Sequence, residues 1–289
     1  MSDRRVLKSN GRVAHESLRG QVEADQFVDG TPCQVIIPVA DLCRDPRGAR
    51  DRQLVRGEVF VTLDREGDWF FGFAERDGYV GWIAVNSLSA RVSQTTHVVS
   101  VPRSYAKSTP GLKAMGSTIP LSFGTGLNVV GEAEGWAAVE WANGLYRETM
   151  FVPPQHLSLA SVAEVDLVGV AERFLGTPYL WGGNSSFGID CSGLVQAAYL
   201  ACGVPCPGDS DQQGAQLGEP FAQDDPAERG DLYFWKGHVA LAVDAETLIH
   251  ASAHHMAVAY EPIKEAIARI EQQGDGPVTS RRRHQSALH

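Results

Sequence analysis

Spacing constrains this chain more than any single residue does. From residue 31 to about 159 the apolar residues fall in short runs, closed by turn-forming residues such as Gly and Asp, at roughly 8–12-residue intervals. Gln34-Val35-Ile36-Ile37-Pro38-Val39, Glu58-Val59-Phe60-Val61-Thr62-Leu63, Asp68-Trp69-Phe70-Phe71-Gly72-Phe73 and Gly78-Tyr79-Val80-Gly81-Trp82-Ile83 form a first set. Runs this short suit strands and argue for a small β-barrel rather than a helical domain. The recipe then repeats in Thr118-Ile119-Pro120-Leu121-Ser122-Phe123, Leu127-Asn128-Val129-Val130-Gly131-Glu132, Gly135-Trp136-Ala137-Ala138-Val139-Glu140-Trp141 and Met150-Phe151-Val152-Pro153. Both sets run apolar strand, acidic turn, Trp-bearing strand, short aromatic strand. That order predicts two divergent copies of one barrel, residues 31–90 and 91–159. Residues 1–30 are polar, with few apolar clusters, and predict a partly ordered arm.

The pattern changes after Pro153-Pro154. Val165, Val168, Ala171 and Leu175 stand near helical spacing, which predicts a helix over 162–175, ended by Gly176-Thr177-Pro178. Residues 191–202 are strongly helical and stop at Gly203, before Val204-Pro205. Two strand-like runs follow, 238–243 and 247–250. Helix followed by small antiparallel sheet makes residues 160–289 an α+β module. The expected fold is therefore multidomain, two small barrels and then an α+β domain.

The chemistry concentrates in that last module. Cys191 opens the predicted helix, directly after Asp190. A thiol is only a few per cent ionised at neutral pH, and the thiolate is the nucleophile. The partial positive charge of a helix N-terminus favours the anion, and its amides can hold an oxyanion forming beside the sulfur. An imidazole would complete the activation. His238 opens one strand-like run and His250 closes the next, twelve positions later. If the runs form a hairpin the two rings can touch, His238 facing the sulfur and His250 orienting its far nitrogen. Other readings of the same residues are open. A Cys at a helix start can be a small buried hydrophobe, a strand His can be structural, and Cys with two His can bind zinc. Structural zinc usually brings close ligand pairs; Cys202 and Cys206 are spaced by four, but no second pair accompanies them.

Composition narrows the partners. A net charge of −10 argues against nucleic acid or an anionic membrane surface. Arg281-Arg282-Arg283 is the one basic cluster, and reads as a solvated end or a closing strand rather than a binding patch. No apolar run approaches the ~20 residues of a membrane span, and none has the length of a secretory leader's apolar core. Five cysteines, an odd and sparse set, suit a reducing compartment. Cytoplasm is the expected location, provided Met1 is the natural start.

Residues 160–270 resemble the NlpC-type peptidases, papain-like cysteine enzymes of bacterial cell-wall metabolism. The resemblance is carried by Pro178-Tyr179-Leu180-Trp181-Gly182-Gly183, Asp190-Cys191-Ser192-Gly193-Leu194, Arg229-Gly230-Asp231-Leu232-Tyr233-Phe234, Gly237-His238-Val239-Ala240-Leu241 and Leu248-Ile249-His250-Ala251-Ser252, five motifs in order. It implies Cys191 as nucleophile, His238 as base and His250 as orienting residue, with no metal and no cofactor. It also implies that Tyr179 helps bind the oxyanion, Trp181 lines the groove, and Asp190, Ser192 and Ser210 contact substrate. Asp190 is equally well suited to cap the helix. Residues 79–88, from Tyr79-Val80-Gly81-Trp82 to Asn86-Ser87-Leu88, resemble the end of a bacterial SH3-like domain.

Two SH3-like modules ahead of such a peptidase resemble the γ-D-glutamyl-L-diamino acid endopeptidases of murein-peptide recycling. That likeness implies cleavage of L-Ala-γ-D-Glu–diamino acid peptides after D-Glu, with the first barrel reading the free amine of L-Ala. Tyr79 matches the aromatic contact; the acid that would pair the amine is Asp51 or Glu58. A monomer is expected. A papain-like amidase or acyltransferase acting on another amide, or a non-catalytic wall-binding protein, are the competing readings.

Overall fold

The polar N-terminal stretch does not stay loose. In the computed structural model, which describes residues 3–143, 146–222 and 225–284, it forms two short strands paired in parallel, β1 (Val13–His15) and β2 (Gln26–Val28). The cause is burial at one point. Val13 packs in a cluster with Val61, Leu63, Phe71 and Trp82, and Ala14 beside it is buried. Ion pairs hold the flanks, Arg4 to Asp51 at 2.7 Å and Arg12 to Asp64 at 2.6 Å. So few apolar residues suffice to order part of the polar arm.

Two sheets of seven strands follow. The first comprises β3 (Thr31–Val35), β4 (Val39–Cys43), β5 (Arg50–Val55), β6 (Val59–Glu66), β7 (Trp69–Ala74), β8 (Val80–Ala84) and β9 (Leu88–Ser89). The second comprises β10 (His97–Val99), β11 (Arg103–Lys107), β12 (Thr118–Ser122), β13 (Gly126–Ala133), β14 (Trp136–Asn143), β15 (Tyr146–Val152) and β16 (Leu157–Leu159). Their orders are β5-β4-β8-β7-β6-β3-β9 and β12-β11-β15-β14-β13-β10-β16. Counted along each sheet's own chain, the two orders are identical. Even the irregularities correspond: both pairings of fourth with fifth strand shift register once, at Thr62/Asp64 and at Val129/Gly131. Each sheet also reaches its last strand through a 3-10 turn, Val85–Ser87 and Pro154–His156. The repeat in apolar spacing is thus a repeat in topology.

Each sheet buries its own cluster, Val35, Leu42, Leu54, Phe60 and Ile83 in the first and Leu121, Leu127, Val139, Trp141 and Met150 in the second. Cys33 and Cys43 are buried without a disulfide, and burial raises both thiols, so they act as small core hydrophobes. The two sheets meet at Arg56 and Gly57. The Arg56 guanidinium stacks 3.3 Å from the Trp141 ring centre and donates to Ala142 O at 2.9 Å. Gly126 N donates to Arg56 O at 2.9 Å. Gly57 has φ of 92°, and a Cβ there would lie 2.4 Å from Gly126 O, so the close approach requires glycine.

The chain divides into two compact units, residues 1–162 and 163–289. The second begins with α1 (Leu167–Glu172), shorter than the helix expected over 162–175. Asp166 accepts from Val168 N at 3.1 Å and caps the helix there, which excludes Val162 and Val165 from it. After β17 (Asn184–Ser185) and β18 (Gly188–Ile189) come α2 (Cys191–Ala201) and α3 (Ser210–Gln216). A six-stranded antiparallel sheet completes the unit: β19 (Glu219–Pro220), β20 (Leu232–Trp235), β21 (His238–Ala242), β22 (Thr247–Ser252), β23 (Ala257–Pro262) and, beyond α4 (Ile263–Gln272), β24 (Ser280–Arg283), in the order β19-β24-β20-β21-β22-β23. The basic cluster is this closing strand. Arg283 pairs with buried Asp231 at 2.7 Å, and Arg281 donates to Tyr233 Oη at 2.6 Å. Those contacts spend the cluster inside the fold. Residues 285–289 of the tail lie outside the described residues.

Candidate active site

Two glycine-bearing turns and one carboxylate set the position of Cys191. Asp190 is the N-cap of α2: its Oδ1 accepts from Gly193 N at 2.7 Å and from Ser192 Oγ at 3.2 Å. Its Oδ2 accepts from Gly182 N at 3.0 Å. A Cβ on Gly193 would sit 2.4 Å from Gly183 O, so the first turn of α2 lies directly against the Trp181-Gly182-Gly183 turn. The two motifs, read separately in sequence, are one packed piece. Asp190, 6% exposed, serves as the cap.

α2 packs against β21 and β22. The sulfur of Cys191, itself buried, lies 3.9 Å from the carbonyl oxygen of Gly237, the residue before His238. Trp235, Lys236, Gly237 and His238 make the tight turn between β20 and β21, with Gly237 at φ of 77°. The β21–β22 ladder pairs Leu241 with Ile249 and Ala242 with Leu248. Continued, that register sets His250 opposite Ala240, one diagonal step from His238 on the same face. The rings do meet: His238 Nε2 is 3.0 Å from His250 Nδ1.

Behind His250 the chain of contacts goes on, through residues that sequence reasoning missed. His250 Nε2 lies 3.0 Å from Glu261 Oε2, although the two are poorly aligned for a hydrogen bond. Arg269 on α4 forks onto the same carboxylate, Nε to Oε1 and Nη2 to Oε2, both 2.8 Å. His250 is 1% exposed and Glu261 7%. Arg269 and His250 hold the Glu261 carboxyl well below the usual carboxylate range against its burial. His238 is pushed down to about 3, first by burial and then by His250 and Arg269. Burial of this kind keeps the ring neutral at neutral pH.

The signal for Glu261 was faint. It is the one acid in 257–262, on the face of β23 that alternates toward His250 through the pairing His250–Ala259. Gln213 was also missed; from α3 its Nε2 donates to Ser192 O and Pro207 O, both at 2.9 Å. Ser210 starts that helix. Tyr179 is half-buried, its N–H on Met256 O at 2.9 Å and its backbone bridged to Ile189, just ahead of Asp190. Trp181 is 69% exposed at the turn. Tyr79 is buried in the core of the first sheet, Asp51 pairs with Arg4, and Glu58 pairs with Arg76. The structure thus gathers Cys191, Asp190, Ser192, His238 and His250 in one place, with Tyr179 and Trp181 on the adjoining turn. Ser210 joins through Gln213, and Tyr79 belongs to the other unit.

One group of possible cation ligands occurs among the described residues, His250, His255 and Glu261, with one atom from each within 4.8 Å of the others. Arg269 already takes both Glu261 oxygens and His238 one nitrogen of His250, so the group reads as an ion-paired chain. Cys202 and Cys206 are buried thiols without a disulfide, and burial raises Cys202 to about 11.

Comparison with known proteins agrees with the geometry. Residues 176–273 match the NlpC/P60 family, and residues 42–88 match the bacterial dipeptidyl-peptidase SH3 domain. The gamma-D-glutamyl-L-lysine dipeptidyl-peptidase of Bacillus subtilis is 31% identical over 231 residues, 73% of this chain and 74% of that protein. A protein of the same name from Bacillus cereus is 26% identical over 246 residues, 74% of this chain and 70% of that one. A solved NlpC/P60 family protein from Bacillus cereus superimposes with a TM-score of 0.73 over 89% of this chain and all of its own, at 20% identity, a likeness of fold. With a relative above 30% identity spanning most of both chains, and with these domains in this order, the chain belongs to the NlpC/P60 family of peptidases, with a bacterial SH3 domain ahead of the peptidase domain.

Proposed function

We propose that the chain is a cysteine peptidase that cuts murein peptides between γ-D-Glu and the diamino acid, and requires a free amine on the N-terminal L-Ala. The observation that carries the chemistry is the contact of His238 Nε2 with His250 Nδ1 at 3.0 Å beside the sulfur-bearing end of α2. It leaves His238 Nδ1 as the ring atom available to the thiol. In this reading the Cys191 sulfur attacks the γ-carbonyl carbon of D-Glu while His238 takes the thiol proton. The C–N bond breaks as His238 returns that proton to the leaving amine, giving a thioester. Water, deprotonated by His238, then cleaves the thioester and restores the thiol. The N-terminus of α2 and the Tyr179 hydroxyl stabilise the oxyanion; Trp181 lines the groove.

The substrate class draws on the relatives, which carry the names of gamma-D-glutamyl-L-lysine dipeptidyl-peptidases. The second seven-stranded sheet, with the same strand order as the first, is a second SH3-like domain in this reading.

The test is mass spectrometry of L-Ala-γ-D-Glu-diaminopimelate, the L-Lys analogue, and both peptides acetylated on L-Ala. Cleavage after D-Glu of the free-amine peptides alone supports the full reading, and the faster of the two names the diamino acid. Cleavage of the acetylated peptides as well removes the amine requirement. No cleavage of any of the four, or undiminished cleavage by Cys191→Ala, overturns the proposal.

A further inference from the structure

A neutral imidazole carries one N–H and one bare nitrogen. With both rings neutral, the contacts from His238 through His250 to Glu261 therefore admit only two consistent proton arrangements. In the first, His250 carries its proton on Nε2 toward Glu261, so its Nδ1 is bare and accepts from His238 Nε2–H. His238 Nδ1 is then bare and can take the thiol proton. In the second, His250 Nδ1–H donates to His238 Nε2. That leaves a bare His250 Nε2 against the carboxylate, and puts the His238 proton on the nitrogen meant to accept.

Glu261 decides between them. Arg269 binds both of its oxygens at 2.8 Å, which keeps the group ionised and acceptor-only. His250 and Glu261 are nearly sealed from water, so no solvent donor competes. The other titratable groups around the pair leave this choice standing. Cys191 comes from α2, and Trp235 from β20 presents an uncharged ring 5.6 Å from His238. His255, whose ring is 5.9 Å from His250, is exposed, and what desolvation it has lowers it from the usual imidazole range, in favour of the neutral ring.

We propose that Glu261, held in place by Arg269, is a positioning residue that fixes the Nε2–H tautomer of His250 and so leaves His238 with its base nitrogen bare. The proposal rests on the reading of Cys191, His238 and His250 as nucleophile, base and orienting residue. It adds two members to that set, neither of which touches substrate.

The experiment is ¹⁵N NMR of histidine-labelled full-length protein at neutral pH, wild type beside Glu261→Gln, with kcat and KM on the peptide that the wild type cleaves best. Wild-type His250 is expected as Nε2–H and His238 as Nε2–H. Glu261→Gln, whose amide can offer either a donor or an acceptor, is expected to mix the tautomers and lower kcat about 10- to 100-fold with KM unchanged. A lost cap or loosened strand would not move the tautomer signal. Wild-type His250 as Nδ1–H, or protonated on both nitrogens, overturns the proposal without any variant, which covers the case that Glu261→Gln does not fold. Wild-type kcat in Glu261→Gln, with Cys191→Ala inactive, overturns the proposal and spares the catalytic reading. An active Cys191→Ala overturns the catalytic reading itself.

Discussion

Asp190 adjoins Cys191, and its two readings, helix cap and substrate contact, make opposite demands on one substitution. Asp190→Ala removes the acceptor of Gly193 N at 2.7 Å, of Gly182 N at 3.0 Å and of Ser192 Oγ at 3.2 Å. Loss of the N-cap bond costs about 1 kcal/mol. Gly182 N–H and the Ser192 hydroxyl, both in buried residues, are left without this acceptor, at about 1–3 kcal/mol each where no other partner replaces it. Relief from burying a carboxylate returns part of that, so the net loss is set at about 3 kcal/mol. For a unit of about this size, that lowers the melting midpoint by roughly 10 °C. The assay is thermal and urea unfolding of the full chain, with KM measured well below the midpoint. Asp190→Asn keeps one acceptor for Gly193 N but must turn an amide donor toward Gly182 N or Ser192, so it should fall between Ala and wild type. An unchanged midpoint in Asp190→Ala with a raised KM would refute the capping argument and leave Asp190 as a substrate residue.

Two other outcomes follow from the structure. The folded-state pKa of His238, at about 3, lies below its unfolded value, so between roughly pH 6.5 and 3 the unfolded chain binds a proton that the folded chain refuses. Stability should therefore fall as pH drops through that window, by about 1.4 kcal/mol per pH unit at most; an equal pH slope in His238→Gln and wild type between pH 6.5 and 5 would count against it. Gly57→Ala forces a Cβ to within 2.4 Å of Gly126 O at a φ of 92°, and should destabilise the first unit by about 2–4 kcal/mol; a urea midpoint within error of wild type would show that the two sheets do not need this contact.

What could be read from the sequence was whatever depends on local pattern. Strands of β3–β16 follow from apolar runs and turn residues, and α2 from a continuous helical run with Gly203 behind it. The pairing of His238 with His250 followed from one assumption, a hairpin, because strand parity then fixes which side chains share a face. The misses were of another kind. Asp166 trims α1 because a side-chain cap outweighs apolar periodicity over one turn. Glu261 and Arg269 lie eleven and nineteen residues beyond His250 on two further elements, and only the pairing of β22 with β23 and the return of α4 bring them together.

The same geometry sets the resting state of the proposed dyad. A thiolate–imidazolium pair requires the imidazole to outcompete the thiolate for the proton. An unperturbed thiol has a pKa of about 8.5, and a helix N-terminus typically lowers it by well under one unit, since the effect is about 0.3–1 kcal/mol. The Asp190 carboxylate next to it works in the opposite direction. Burial first, then His250 and Arg269, holds His238 far below the ordinary imidazole range, which favours the neutral pair. Attraction between a thiolate and an imidazolium works against that preference. We expect thiol and imidazole to rest uncharged until substrate arrives, with the proton moving during attack; His238 then acts as a general base, the role that a fixed His250 tautomer would serve. Alkylation by iodoacetamide measures this directly. Its rate should rise with a single pKa above 7, whereas a plateau already reached at pH 5 would mean a preformed ion pair and would overturn the balance struck here.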